Sequence, residues 1–160
     1  MSVWGALAGG VVGTLVLTSM LRAASELGLT RMDLPFLLGT ALTENRVRAK
    51  AAGYGIHVAF GVLFALAYWA VFSVVDESGW IVGALLGLVH GVFAATALVN
   101  VLLPLVHPRM ATPLTAAGAA PLLEPPGFLM LNYGRATPVV TLAGHAAYGT
   151  IVGGFVALAS

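Results

Sequence analysis

The sequence contains no cysteine and very few charged residues. Only 8% of its 160 residues are Asp, Glu, Lys or Arg, whereas soluble domains carry about 25%. Because a water-soluble protein of this size needs more surface charge, the composition predicts an integral membrane protein. The lack of cysteine excludes disulfides, thiolate nucleophiles and thiolate-ligated metals. The net charge of +1 predicts no nucleic-acid partner.

Signatures of common enzyme classes are also absent from the sequence. The chain has no phosphate-binding glycine loop, no H-E-x-x-H zinc motif, no Ser-His-Asp pattern and no paired catalytic carboxylates. Each of these motifs brings together the groups that its chemistry needs, so their absence leaves no reaction type indicated. The sequence therefore favours a non-enzymatic role.

Hydrophobic residues make up 59% of the sequence and are concentrated in four stretches long enough to cross a bilayer, which takes roughly 20 residues. The predicted spans cover residues 4–27, 53–75, 79–106 and 138–159. Gly28 is expected to cap the first span, and Pro104 is expected to kink or end the third. The predicted fold is all-α, a four-helix transmembrane bundle that forms a single domain over residues 1–160.

The connections between the predicted spans differ in length. Asp76-Glu77-Ser78 predicts a tight turn between the second and third spans. In the connection at residues 28–52, Asp33 is expected to cap a short helix that tolerates Pro35 in its first turn. Residues 107–137 contain five prolines, which predicts an irregular loop. This loop is otherwise apolar, so we expect it to pack on the bundle or on the membrane surface.

The basic residues all fall on one side of the predicted membrane. They are Arg22, Arg31, Arg46, Arg48, Lys50, Arg109 and Arg135. By the positive-inside rule, the two long connections are cytoplasmic and both termini lie outside. The three tryptophans fall near the opposite boundary, where an aromatic belt would place them.

Two motifs recur along the chain and predict an internal duplication. A shift of 78 residues carries Arg31-Met32-x-x-Pro35 onto Arg109-Met110-x-x-Pro113. A shift of 88 carries His57-Val58-Ala59-Phe60-Gly61 onto His145-Ala146-Ala147-Tyr148-Gly149. We therefore predict two tandem two-helix repeats, about residues 1–77 and 78–160, related by a parallel pseudo-twofold axis along the membrane normal. Chance matches in a chain rich in small apolar residues are the alternative.

Glycines recur at four-residue intervals in three of the predicted spans. The stripes are Gly5, Gly9 and Gly13, then Gly83, Gly87 and Gly91, then Gly149 and Gly153. This G-x-x-x-G spacing puts the glycines on one helix face and lets another helix approach closely. We favour packing within the chain, and the alternative is homodimerisation through an outer helix face.

Three histidines, His57, His90 and His145, lie inside predicted spans and form the candidate site. Titratable groups at this depth are costly and tend to face the bundle interior. The repeat places His57 and His145 at matching depths, and two facing imidazoles would suit a haem iron or another metal, a proton relay, or hydrogen bonds to a quinone head group. The structural alternative is a hydrogen bond from each ring to a backbone carbonyl or a neighbouring Thr or Asn. His107 ends the third span and is expected to be solvated.

Four basic residues form a second candidate site. Arg46, Arg48 and Lys50 lead into the second span, and Arg135 precedes the fourth span in a segment rich in turn-forming residues. All four are expected at the cytoplasmic surface, where anionic lipids attract basic side chains. We therefore predict that they hold an anionic lipid head group.

Three features resemble small four-span bacterial membrane proteins to which no activity is assigned. They are the run Met32–Gly39, the paired His-x-Ala-aromatic-Gly motifs and the run Glu124–Phe128. The resemblance covers nearly the whole chain and implies a bacterial plasma (inner) membrane, but it implies no function.

Three hypotheses for the function follow from the residues. The first is a non-enzymatic accessory or scaffold subunit that packs against itself, another membrane protein or lipid. The second is a redox bundle that uses the histidines to bind haem, a metal or a quinone. The third is a small transporter whose pathway an oligomer supplies.

Overall fold

The computed structural model describes residues 1–111 and 123–160. These residues fold into helices without a β-strand, and four helical segments are long and apolar enough to cross a membrane. The four spans are α1 (Val3–Glu26), α3 (Arg46–Val75), a third span (Trp80–Val106) and α6 (Thr137–Leu158). A short helix, α2 (Leu34–Gly39), lies between the first two spans. The predicted all-α fold with four spans is thus confirmed.

Helix α1 ends in the glycine cap that the sequence predicts. Gly28 has a φ of +75°, a conformation that side chains with a Cβ adopt only with strain. The Leu29 amide donates to the carbonyl of Ala24 at 2.9 Å, and the Gly28 amide donates to Ser25 at 3.1 Å. These two bonds form a Schellman motif, which satisfies carbonyls that the helix end leaves free.

Helix α2 begins as predicted and packs closely on the start of α3. The side chain of Asp33 accepts a hydrogen bond from the Phe36 amide at 3.1 Å, and Pro35 lies in the first turn. A Cβ on Gly39 would overlap the backbone of Ala49, and a Cβ on Gly53 would overlap the backbone of Pro35. Glycine at these two positions therefore allows the α2 and α3 backbones to touch.

The third span changes its helix type before it reaches the loops. It comprises α4 (Trp80–Phe93), a π-helix (Ala94–Leu102, the π segment) and α5 (Leu103–Val106). Pro104 therefore does not end the span. Its ring would crowd the carbonyl of Asn100, and the wider π turn relieves that crowding. The side-chain amide of Asn100 donates from Nδ2 to the carbonyls of Ala95 at 2.8 Å and Thr96 at 2.9 Å, which stabilises the wider turn.

Helix α6 lies between α1 and α4, and the glycine stripes mediate both contacts. A Cβ on Gly9 would lie 3.0 Å from the Cα of Val152 on α6. On the other side of α6, a Cβ on Gly87 would overlap the carbonyl of His145. The predicted packing of the stripes within the chain is confirmed, and these faces are covered rather than free for a second copy.

The predicted duplication stays a prediction, and the packing departs from a pseudo-twofold axis. Such an axis would match the close α1–α6 contact with an equally close contact between α3 and α4. Helices α3 and α4 instead make few backbone contacts, and they meet through the rings of Phe64, Tyr68 and His90. Pro113, which ends the second copy of one motif, lies outside the described residues.

The two long connections meet at one end of the bundle, which we call the loop end. The Arg31 amide donates to the carbonyl of Tyr133 at 2.7 Å, so the connections after α1 and before α6 are joined. At the opposite end, the Trp69 indole donates to the carbonyl of Met1 at 3.1 Å. The turn between α3 and α4 lies at that opposite end, where Asp76 adopts a left-handed conformation with φ 56°.

The prediction that His107 is solvated is wrong, because the chain after the third span folds back onto α2. Only 4% of His107 is exposed. Its Nδ1 accepts from the Arg109 amide at 3.2 Å, so Nε2 carries the proton and donates to the carbonyl of Leu37 at 3.0 Å. The Arg109 guanidinium also donates to the carbonyl of Thr40. These bonds join the end of the third span to α2.

Candidate functional site

A cavity of about 440 Å³ occupies the gap between α3 and the third span. Its walls are mostly apolar and come from all four spans, for example Leu17, Phe64, Leu98 and Tyr148. Small-molecule sites in proteins usually have volumes of about 300–1,000 Å³ and apolar walls. The cavity is thus large enough for a small organic ligand.

The cavity opens sideways along the helices. Leu63 on α3 and Val106 on the third span line it and are 59% and 76% exposed. Both residues belong to segments apolar enough to cross a membrane. When these spans are in a bilayer, the opening between them faces the hydrocarbon region or its edge.

The cavity is covered at the loop end by α2 and by the segment before α6. Leu34 and Leu38 of α2 line it there, together with Met130. Met130 belongs to a 3₁₀ segment, Phe128–Tyr133, in which Leu129 and Met130 have φ values of 54° and 59°. Two adjacent non-glycine residues in the left-handed region are strained, and the Thr141 hydroxyl holds Met130 by donating to its sulfur at 3.4 Å.

All three histidines that the sequence singles out line this one cavity. The rings of His90 and His145 are in edge-to-face contact, with centroids 4.7 Å apart and an interplanar angle of 79°. The His90 ring also lies against Phe64, with centroids 4.0 Å apart. The candidate site therefore combines side chains from α3, α4 and α6.

Hydrogen bonds at Nδ1 fix the tautomers of two of the rings. Nδ1 of His145 lies 2.8 Å from the carbonyl of Thr141, which can only accept, so Nδ1 carries the proton. Nδ1 of His57 lies 2.9 Å from the Thr18 hydroxyl, which already donates to the carbonyl of Thr14 at 2.7 Å. While the Thr18 hydroxyl makes that bond to Thr14, His57 donates to Thr18. Nε2 of each neutral ring is left with a lone pair and acts as an acceptor.

The hydroxyl groups that line the cavity already donate within the protein. Thr14 donates to the carbonyl of Gly10 at 2.6 Å, and Thr141 donates to the sulfur of Met130. The Tyr148 hydroxyl donates to the carbonyl of Gly61 at 2.5 Å. Their oxygens can still accept a hydrogen bond, but among the described residues the histidine rings are the side chains of the cavity wall with a ring nitrogen left to pair.

The sequence does not identify two partners of the histidines. Tyr68 on α3 is buried, and its hydroxyl lies 3.2 Å from Nδ1 of His90. A tyrosine deep in a span needs a hydrogen-bond partner for its hydroxyl, so the position of Tyr68 in the sequence could have indicated this contact. Thr18 gives no comparable signal, because a threonine in a helix bonds its own backbone equally well.

The contact between His90 and His145 does not suit axial haem ligation by that pair, whereas ligation by His57 and His145, the pair that the sequence predicts, stays a prediction. Axial ligands lie on opposite faces of a porphyrin, which holds their ring centres about 6 Å apart. The observed 4.7 Å edge-to-face contact leaves no room for an iron and its macrocycle. Within residues 1–111 and 123–160, no group of three or more His, Asp or Glu is arranged to hold a metal ion.

The four residues predicted to bind a lipid head group have different surroundings. The Lys50 ammonium pairs with Asp33 at 2.6 Å, and the Arg46 guanidinium lies 5.3 Å from the Phe36 ring centroid. Both contacts attach α3 to α2. Arg48 and Arg135 are exposed. The lipid head-group site itself stays a prediction.

Tyr133 belongs to the segment that covers the cavity, and the ionisation of its hydroxyl can be measured. Its hydroxyl donates to the carbonyl of Glu124 at 2.6 Å. Burial, with a smaller contribution from the Glu124 carboxylate, raises the pKa of Tyr133 to about 12. The folded state therefore favours the neutral phenol, and the stability linked to it is fully present below about pH 10, the pKa of an exposed tyrosine, and is lost as the pH rises through about 12.

We expect one phenol of the folded protein to ionise near pH 12 and to disappear from the titration in the Tyr133→Phe variant. The measurement is phenolate absorbance against pH, taken as the difference between the wild type and the variant. In the denatured chain, the difference in phenolate absorbance should have its midpoint near pH 10. A folded-state midpoint near pH 10 would contradict the burial of this hydroxyl.

Comparison with protein-family models, curated proteins and solved structures gives no significant match to this chain. The cavity and its side chains are therefore the basis for assigning a function.

Proposed function

We propose that this integral membrane protein binds a small lipophilic molecule, which enters the cavity from the bilayer between α3 and the third span. The supporting observation is the combination of an apolar cavity of about 440 Å³ with polar groups gathered at His57, His90 and His145. The cavity is lined by apolar side chains, opens towards the bilayer at Leu63 and Val106, and has a volume within the range of small-molecule sites.

The physical basis of binding differs from that in a soluble protein. A lipophilic molecule in a bilayer gains little from apolar walls, because the lipid tails it leaves are equally apolar. Selective binding must therefore come from shape and from hydrogen bonds made at low dielectric. The three histidines supply those hydrogen bonds, and the apolar walls set the size of the body that fits.

We also propose that the loop end faces the cytoplasm of a bacterial plasma membrane. All seven basic residues of the chain lie at the loop end. They occupy the last turns of α1 (Arg22), the first turns of α3 (Arg46, Arg48 and Lys50) and the two long connections (Arg31, Arg109 and Arg135). The turn at Asp76 and the two chain ends carry none. This asymmetry supports the positive-inside orientation.

The proposal is tested by saturable binding in nanodiscs. The probes are 4-nonylphenol and its methyl ether, each titrated into protein-loaded and protein-free nanodiscs, with bound probe measured after separation. We expect at least one probe to saturate at one molecule per chain above the lipid background. Uptake equal to that of protein-free nanodiscs for both probes would overturn the proposal and would favour the accessory-subunit hypothesis.

A further inference from the structure

We infer that the molecule held in the cavity carries a hydroxyl group, which donates a hydrogen bond to Nε2 of His57 or His145. This inference rests on the proposed function and specifies the chemical class of the ligand. A phenol or an alcohol qualifies. A ketone, an ether or an ester without a hydroxyl contains only acceptors, so it could bond to His90 alone and would leave the Nε2 lone pairs of His57 and His145 without a donor.

The inference follows from the ring hydrogens of His57 and His145, which already form hydrogen bonds within the protein. His145 donates from Nδ1 to the carbonyl of Thr141, and His57 donates from Nδ1 to Thr18. Both rings therefore present a lone pair at Nε2. A change of tautomer at His145 would put a lone pair against a carbonyl oxygen, and a change at His57 would require the Thr18 hydroxyl to give up its bond to Thr14, so the protein opposes both changes.

The rest of the wall strengthens the same conclusion. The hydroxyls of Thr14, Thr141 and Tyr148 line the cavity, but each already donates to a protein acceptor. They therefore have no hydrogen left for an acceptor on the ligand. His90 is the one ring that can adapt, because the Tyr68 hydroxyl at its Nδ1 can either donate or accept.

Charge excludes the other class of hydrogen-bond donor, a cationic amine. No Asp or Glu is among the described residues that line the cavity. An ammonium head group would therefore enter a low-dielectric space without a counter-charge, which is strongly unfavourable. A neutral hydroxyl is the donor that suits this site. For a quinone-type ligand, the site would favour the reduced hydroquinone, because only that form has hydroxyls to donate.

The matched pair of probes tests this inference directly. In the wild type, we expect 4-nonylphenol to bind at least about tenfold tighter than its methyl ether, after correction for partitioning into protein-free nanodiscs. The double variant His57→Phe, His145→Phe keeps two aromatic rings but removes both Nε2 acceptors. The ratio of the two affinities should therefore fall towards one. Circular dichroism and thermal unfolding check that this variant is folded.

A milder variant keeps the inference testable if the double substitution prevents folding. Thr18→Val removes the hydroxyl that fixes the tautomer of His57. That ring can then present a proton at Nε2, so we expect binding of the methyl ether to improve relative to the phenol. Thr150→Val is the matched control, because Thr150 also donates to a helix carbonyl, that of Ala146 at 2.8 Å, whereas only Thr18 of the two is bonded to a cavity histidine.

The outcomes separate the inference from the function on which it rests. Saturable binding of both probes with equal affinity would support the proposed function and overturn the requirement for a hydroxyl. Tighter binding of the methyl ether would also overturn it. If neither probe saturates, the proposed function fails. Nitrogen-15 NMR of labelled histidines gives an independent readout, and protonated Nε2 on both His57 and His145 would contradict the inference.

Discussion

Gly149→Ala is expected to destabilise the bundle strongly, whereas Gly55→Ala is expected to leave its stability nearly unchanged. A Cβ on Gly149 would overlap the carbonyl of Gly83 and lie 2.8 Å from the Cα of Gly87. Both obstacles are backbone atoms, so no side chain can rotate away and the two helices must separate. Overpacking of a well-packed interior typically costs 1–3 kcal/mol, and we expect about 3 kcal/mol or more here because the obstacle is rigid.

Gly55 provides the matched control for this substitution. It is also a glycine within a span, but a Cβ added to it would meet no atom within 4 Å. The measurement is unfolding in detergent, followed by circular dichroism against temperature or against added SDS. Equal stability of the two variants would contradict the close backbone contact between α4 and α6.

The same substitution should also disturb the candidate site. Gly87 packs against the backbone of His145, and Gly149 lies one turn further along α6 on the same face. Separating α4 from α6 would therefore move His145 away from His90, whose ring it now touches at 4.7 Å. The glycine stripes thus position the histidines as well as stabilising the bundle.

Much of the architecture could be predicted because membrane helices follow simple rules. Long apolar runs set the four spans, since every backbone polar group in a bilayer must be satisfied internally. Local signals set several ends, such as the cap by Asp33 and the left-handed Gly28. These features depend on a few neighbouring residues, so the sequence alone specifies them.

Features that depend on contacts between distant segments could not be predicted. The π segment is a response to Pro104 and Asn100, but a proline in a span is equally compatible with a simple kink. The burial of His107 requires the return of the chain onto α2. The repeated motifs predict a symmetric bundle, and no sequence pattern indicated that α3 and α4 would stand apart.

The sequence identifies the histidines of the candidate site but not their hydrogen bonds. His57, His90 and His145 could be named because polar groups are rare in spans, and all three line one cavity. Their protonated nitrogens could not be assigned from sequence, because Thr18 and Tyr68 become partners only through packing. The cavity itself results from the gap between α3 and the third span.

Leu98→Trp is expected to weaken binding of a lipophilic probe strongly while leaving the fold intact. Leu98 lines the cavity from the π segment, and an indole in its place would extend into open space rather than into packed side chains. We therefore expect affinity for the bound probe to fall by more than about tenfold, with only a small change in stability because the added volume fills a void. All three histidines are retained, so this loss would report the shape of the cavity and not its hydrogen bonds.

Val101→Trp is the matched control, because it places the same ring on the same π segment but outside the cavity. Val101 is 55% exposed and does not line the cavity. Saturable binding, measured in nanodiscs with 4-nonylphenol, should persist in this variant. Equal loss in both variants would indicate that a bulky ring merely disturbs the π segment. Full binding by Leu98→Trp would mean that the probe binds elsewhere, because the space it needs beside the histidines would already be occupied.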